Sequence, residues 1–156
     1  MATIENARTG VRPKEFHFPL SVDWVGGRRV SARVAGKPAI DVTPPPEFRG
    51  TDPAVWSPED LFVAAAASCL AVTFTGLAER AKLAFTGLTV AGDGVAGMRD
   101  DGRFGFTALT LRLDVESDQP DEARRLAEKA EQTCLVSASL DLPIDTTINV
   151  TGTPGT

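Results

Sequence analysis

Residues 56–83 read WSPEDLFVAAAASCLAVTFTGLAERAKL, and the rest of the chain is organised around them. Ser57 suits the N-cap of a helix and Pro58 its first position, and Asp60, three residues after the serine, can complete a capping box. The residues that follow are apolar on nearly all sides, which is typical of a helix that is buried on every side. The stretch therefore predicts one central helix, about 40 Å long at a rise of about 1.5 Å per residue.

The segments before this helix predict an antiparallel meander of three strands. Apolar and polar residues alternate there, and the pair Gly26-Gly27 is a hairpin signal. Three consecutive prolines then exclude a helix or a strand interior, so residues 43–55 predict a loop that leads to the central helix. The expected strands are Phe16–Trp24, Arg28–Ala35 and Pro38–Val42.

The segments after the helix predict further strands and two shorter helices. The strand Phe104–Glu116 is apolar on both sides and is expected at the centre of a sheet. The order of elements predicts an α+β fold in which antiparallel sheet packs against the central helix. The other expected elements are a strand Leu88–Met98, a helix Asp121–Thr133, a short helix from about Cys134 to Leu140 and a strand Pro143–Thr151.

Composition limits the classes of function. The 156 residues fit one domain, which we expect over residues 16–156 behind a loose leader over residues 1–15. A formal net charge of -5 argues against nucleic acid as a partner. The first residues carry no apolar run typical of a signal peptide, so we expect a cytoplasmic protein. The long helix approaches the length of a membrane span, but the strand patterns around it favour a core helix and no membrane.

Sulfur is the most reactive chemistry that the sequence offers. The chain has a single histidine, His17, and neither a C-x-x-C pair nor a nucleotide-binding motif, so we expect no metal site and no cofactor. Two cysteines remain as candidates, Cys69 within the long helix and Cys134 at the boundary of two later helices. Composition alone favours a structural role for Cys69, because a free cysteine in an alanine-rich helix often behaves as a small hydrophobe.

Two cysteine segments resemble the OsmC and organic hydroperoxide resistance superfamily. They are SPEDLFVAAAASCL, residues 57–70, and AEKAEQTCLVSASL, residues 127–140. The family has a P-E-x-L segment that opens its central helix before one cysteine, and a second cysteine in a C-P-h-S-x-x-L-like segment. The start VDWVGGRR, residues 22–29, is similar to the family's first hairpin. The resemblance extends from about residue 16 to residue 150.

The resemblance implies an intertwined homodimer with active sites at the subunit interface and peroxidase chemistry on organic hydroperoxides. Position by position, Cys69 matches the cysteine that attacks the peroxide. Cys134 matches the cysteine that resolves the resulting sulfenic acid into a disulfide, which a dithiol reductant reopens. Glu59 matches the family's carboxylate, and Arg28 matches the guanidinium that organises the thiolate, with Arg49 as the rival for that role.

The sequence alone decides neither the substrate nor the type of reaction. A pocket lined by Phe62, Phe74 and Trp56 would favour bulky apolar hydroperoxides over hydrogen peroxide. Leu135 stands where the family has proline, so the chain resembles the broader OsmC-like group better than either well-studied branch. The alternative is a protein that binds a small apolar ligand without turnover, which does not need the two thiols to meet. Acyl or thiol transfer at Cys69 is a third possibility, but it lacks a histidine base.

Overall fold

The computed structural model of the chain describes residues 14–153. The elements are β1 (Ser21–Gly26), β2 (Arg29–Arg33), β3 (Ile40–Val42), a short 3-10 turn (Pro46–Phe48), α1 (Pro58–Ala81), β4 (Gly87–Met98), β5 (Phe104–Glu116), α2 (Pro120–Thr133), α3 (Leu135–Ala138) and β6 (Ile144–Thr151). The α+β class is confirmed. Of the predicted leader, residues 1–13 lie outside the described residues.

The start of α1 is built as the sequence predicts. The Ser57 hydroxyl accepts a hydrogen bond from the backbone N–H of Asp60, and the Asp60 carboxylate accepts one from the N–H of Ser57. Both bonds satisfy N–H groups that have no partner within the helix. The helix ends at Lys82, whose backbone is left-handed at φ 56°.

The expectation that α1 is buried on every side is wrong for a single chain. One stripe of the helix, at intervals of four residues, is buried against the core: Ala66, Leu70, Phe74 and Ala78. With a mean hydropathy of 2.0 in its most apolar 18-residue window, the helix could cross a membrane by length and composition alone. Only 22% of that window is buried within the chain. Val72, on the opposite side, is 68% exposed. Exposed apolar surface along one side of a helix is typical of an interaction site.

The chain folds into two separate three-stranded sheets. The first, in the order β1-β2-β3, is antiparallel, and it begins five residues later than predicted, at Ser21, which pairs with Arg33. Residues 16–20 have no strand partner among the described residues, and Pro19 lacks the N–H that a ladder needs. The main core cluster includes no residue of this sheet, and the one buried hydrophobic residue among its strands is Val42 of β3. Its Val22 and Trp24 share one face, and Trp24 is 74% exposed.

The second sheet has the order β4-β5-β6 and carries the core. The central place of β5 agrees with its two-sided apolar sequence. The prediction of purely antiparallel sheet is wrong here, because β6 runs parallel to β5. In sequence, α2 and α3 stand between β5 and β6. They return the chain to the end of the sheet at which β5 begins, as the connection between two parallel strands must.

Two glycines of β4 allow α1 to lie close against the sheet. A Cβ at Gly94 would come within 2.7 Å of the Phe106 ring and 2.8 Å of Val63, a residue of α1. A Cβ at Gly92 would approach Val63 equally closely, at 2.8 Å. The absence of these two side chains therefore sets the position of the N-terminal half of α1, which bears Glu59.

Candidate functional site

The first part of the site, the thiol half-site, consists of Cys69, Thr73 and Cys134 with the backbone of Leu135 and Val136. Cys69 lies midway along α1 and is half-buried, whereas Cys134 is 1% exposed. Cys134 has an extended backbone between α2 and α3, and this break in the helices places its side chain within hydrogen-bonding reach of Cys69. Both cysteines are free thiols.

The surroundings of Cys69 favour its thiolate. Burial raises the pKa of the Cys69 thiol, but hydrogen bonds from the backbone N–H groups of Val136 and Leu135 and from the side chains of Cys134 and Thr73 outweigh that cost. The pKa of Cys69 therefore lies below its ordinary value. Hydrogen bonding to the charged form is what stabilises it here.

The second part of the site, the arginine half-site, consists of Arg28, Thr43 and Glu59. These residues line one cavity of about 300 Å³ beside the 3-10 turn. Nη1 of Arg28 donates to the backbone oxygens of Phe48 and Arg49, at 3.1 Å and 3.2 Å. The Arg28 guanidinium thus holds the end of the 3-10 turn Pro46–Phe48.

The two candidate arginines differ in what surrounds them. Arg28 lines the cavity of Glu59 and also a neighbouring cavity, whereas Arg49 lines the neighbouring cavity, with Arg29 and Asp52, and not that of Glu59. Arg49 has a left-handed backbone at φ 62°, and its N–H donates to the oxygen of Pro46. Its carbonyl, rather than its side chain, is what Arg28 binds.

The two half-sites of one chain do not meet. Glu59 and Cys69 lie on the same helix ten residues apart, which is about 15 Å at about 1.5 Å per residue. The groups that lower the pKa of Cys69 include neither Arg28 nor Arg49. One subunit, over the residues described, therefore holds both parts of the predicted constellation without bringing them together.

The aromatic residues predicted to line a pocket have different surroundings. Phe74 is fully buried and packs edge-to-face on Phe85, with ring centroids 5.5 Å apart. Phe62 stacks on Phe106 at 4.2 Å, and Trp56 is 53% exposed, its backbone paired with Val42.

An aromatic cleft that the sequence did not point to lies beside Glu59. It has a volume of about 400 Å³, and Phe48, Phe104 and Phe106 line it. The rings of Phe48 and Phe104 meet edge-to-face at 6.0 Å. Phe104 and Phe106 lie two residues apart on β5, whereas Phe48 is distant from them in sequence and is brought to them by the proline-rich turn. Such a cleft can hold an apolar group.

The described residues hold no cluster of three or more His, Cys, Asp or Glu side chains that could bind a metal ion. Thr43 and Thr73 are further site residues that sequence reasoning missed. Thr73 lies four residues after Cys69, and this spacing on a helix is the signal that could have identified it.

Comparisons with known proteins give one matching family, a curated relative and solved structures of similar fold. The family described as OsmC-like protein matches residues 50–149. The uncharacterized protein YmaD of Bacillus subtilis is 26% identical over 133 residues, which cover 81% of this chain and 87% of that protein. The fold is similar to a solved OsmC-like protein of unknown function from Vibrio cholerae, with a TM-score of 0.77 at 20% identity over 86% of this chain and 99% of the other. It is also similar to an organic hydroperoxide resistance protein from Elizabethkingia anophelis, with a TM-score of 0.71 at 23% identity over 90% of this chain and 99% of the other.

Proposed function

Because the chain belongs to the OsmC-like protein family, we propose that it is a thiol-dependent peroxidase that reduces organic hydroperoxides to alcohols. The observation that carries the proposal is the thiol half-site, where Cys69 packs against the core that contains Cys134, both thiols are free, and the Cys134 side chain is among the groups that lower the pKa of Cys69. A purely structural cysteine needs neither a neighbouring thiol nor a lowered pKa. The relative from Elizabethkingia anophelis that is named for organic hydroperoxide resistance supports the choice of substrate.

The reaction starts at Cys69. Its thiolate attacks one oxygen of the hydroperoxide, so that an S–O bond forms, the O–O bond breaks and the departing alkoxide takes a proton to become the alcohol. Cys69 is left as a sulfenic acid. The sulfur of Cys134 then attacks it, an S–S bond forms and water leaves. A dithiol reductant supplies the two electrons that reopen the disulfide.

The arginine half-site acts in the second subunit of a homodimer. We infer that Arg28 and Glu59 of one subunit face Cys69 of the other, where the guanidinium polarises the peroxide and the carboxylate orients it. The exposed apolar faces of α1 and of the first sheet support this arrangement, because a single chain leaves both uncovered. With these faces covered, the protein is a single domain over residues 16–156 that needs no membrane, and we place it in the cytoplasm.

The aromatic cleft supports a second candidate function, the binding of a small apolar ligand without turnover. Phe48, Phe104 and Phe106 offer stacking surfaces to an aryl or alkyl group. In the peroxidase, the same cleft would hold the organic part of the substrate.

The deciding experiment counts thiols in the reduced protein. One equivalent of cumene hydroperoxide and, separately, of hydrogen peroxide is added, free thiols are titrated and the disulfide is mapped by mass spectrometry. We expect rapid loss of both thiols to a Cys69–Cys134 bridge, faster with the organic peroxide. The Cys69→Ser variant is the control that should retain its remaining thiol. Two free thiols after the addition would refute the peroxidase and leave the ligand-binding candidate.

A further inference from the structure

Two buried polar atoms of the arginine half-site have no hydrogen-bond partner. They are Oγ1 of Thr43 and Oε2 of Glu59, and among the described residues no others share this condition. Thr43 is buried, at 8% exposed, so its hydroxyl is largely withdrawn from the surface of the chain. Unpartnered buried oxygens are rare, and each calls for an explanation.

Thr43 and Glu59 are close neighbours through the backbone. The N–H of Thr43 donates to the oxygen of Trp56 at 2.9 Å, and Glu59 follows three residues later in the first turn of α1. Both residues line the same 300 Å³ cavity as Arg28. One unpartnered oxygen belongs to a hydroxyl, which can donate, and the other to a carboxylate, which accepts when ionised.

Few groups around this cavity can donate a hydrogen bond. Its other lining side chains are those of proline, valine and phenylalanine, and the prolines lack even a backbone N–H: Val30, Val42, Pro44, Pro45, Phe48 and Pro58. The N–H of Phe48 is bound to the oxygen of Pro45. The side-chain donors are therefore Arg28 and Thr43, and Arg28 already gives Nη1 to the turn.

We propose that Thr43 is a positioning residue of the reaction, whose hydroxyl donates to Oε2 of Glu59 in the assembled site. The bond satisfies both unpartnered atoms at once. It holds the Glu59 carboxylate with its remaining lone pairs toward Arg28, so that the guanidinium is fixed where the thiolate of the second subunit arrives. The inference rests on the proposed function.

The test is a double-mutant cycle in the full-length dimer with Cys134→Ser throughout, so that only the reaction of Cys69 is followed. The variants are Thr43→Val, which keeps the shape and removes the hydroxyl, Thr43→Ser, which keeps the hydroxyl, and Glu59→Gln, alone and combined with Thr43→Val. Thr89→Val, at an exposed position of β4, is the matched control. Two rates are measured, Cys69 oxidation by cumene hydroperoxide and Cys69 alkylation by iodoacetamide.

We expect Thr43→Val to slow both rates about tenfold, the loss of one hydrogen bond to a charged group, and Thr43→Ser to restore most of that loss. In the Glu59→Gln background the same change should have little further effect, because the residue acts through Glu59. Unchanged rates in Thr43→Val, or a full tenfold loss in both backgrounds, would overturn the inference. Alkylation needs no peroxide, so a protein that does not consume hydroperoxide would refute the proposed function while the alkylation rates still decide the role of Thr43.

Discussion

The two half-sites differ in how far a single chain completes them. In the thiol half-site, Cys69 has hydrogen-bond partners from α1, Cys134 and the start of α3, all from its own chain. In the arginine half-site, Thr43 and Glu59 each keep a buried oxygen without a partner. The difference shows that the hydrogen-bond partners of Cys69 are present within one chain, whereas those of the two oxygens of Thr43 and Glu59 are not, over the residues described. Under the proposed function, assembly of the dimer completes the arginine half-site.

The largest effect should come from the thiols themselves. Cys69→Ser should abolish peroxide consumption, because the attacking sulfur is gone. Cys134→Ser should allow one oxidation of Cys69 and stop turnover, because no second sulfur displaces the hydroxyl. Following alcohol formation over one and over many equivalents of hydroperoxide separates the two outcomes. Sustained turnover in Cys69→Ser would remove the thiol half-site from the mechanism.

The next largest effect should come from the arginine half-site. Arg28→Ala should lower the rate of Cys69 oxidation about 100-fold, a loss typical of removing one preorganised electrostatic group. Arg49→Ala should have a much smaller effect, since only the carbonyl of Arg49 contacts Arg28. Stopped-flow oxidation of both variants tests the ranking, and a larger loss in Arg49→Ala would reverse the assignment.

A smaller effect, on the free energy of unfolding, is expected where α1 packs against β4. Gly94→Ala would force a Cβ to within 2.7 Å of the Phe106 ring and 2.8 Å of Val63, and overpacking of this kind costs about 1–3 kcal/mol. Gly97→Ala is the matched control, because its nearest neighbour would be Thr107 at 3.8 Å. Urea denaturation should give a lower free energy of unfolding for the first variant only. Equal stabilities would mean that the helix yields easily to the added methyl group.

The smallest effect concerns pH. The reactive form of Cys69 is the thiolate, so its reaction rate falls as pH drops through its pKa, which lies below the ordinary value. Thr73→Val removes one hydrogen bond to that thiolate, and the midpoint of the pH–alkylation curve should move to higher pH by up to about one unit. Thr75→Val is the control, since the Thr75 hydroxyl binds the carbonyl of Val72. A shift of equal size in both variants would contradict the role of Thr73.

The parts of the fold that could be predicted are those that depend on local signals. The cap at Ser57 and the central strand β5 each follow from residues within one segment. The parallel pairing of β6 with β5 could not be predicted, because the direction of a strand depends on how α2 and α3 return the chain. The late start of β1 could not be predicted either, since Phe16 and Phe18 alternate like strand residues but have no strand partner within residues 14–153.

The features of the candidate site also separate into those that local sequence could predict and those that it could not. The two cysteines could be singled out by chemistry, and their contact was implied by the resemblance. The separation of Glu59 from Cys69 follows from the rise of a helix and could have been measured along the sequence. Sequence reasoning could not predict the unpartnered oxygen of Thr43 or the stacking of Phe62 on Phe106. Both depend on side chains that the fold brings together from distant segments.

The deep burial of Cys134 also determines which sulfur of the proposed Cys69–Cys134 disulfide a reductant can attack. Once the two sulfurs are joined, an incoming reductant thiolate must approach one of them in line with the S–S bond. Within one chain Cys134 is 1% exposed and Cys69 is half-buried, so in the proposed cycle the reductant would reach the sulfur of Cys69 and Cys134 would leave as the thiolate. Any mixed disulfide trapped with a reductant would therefore be found on Cys69, and each catalytic cycle would begin and end at the same atom.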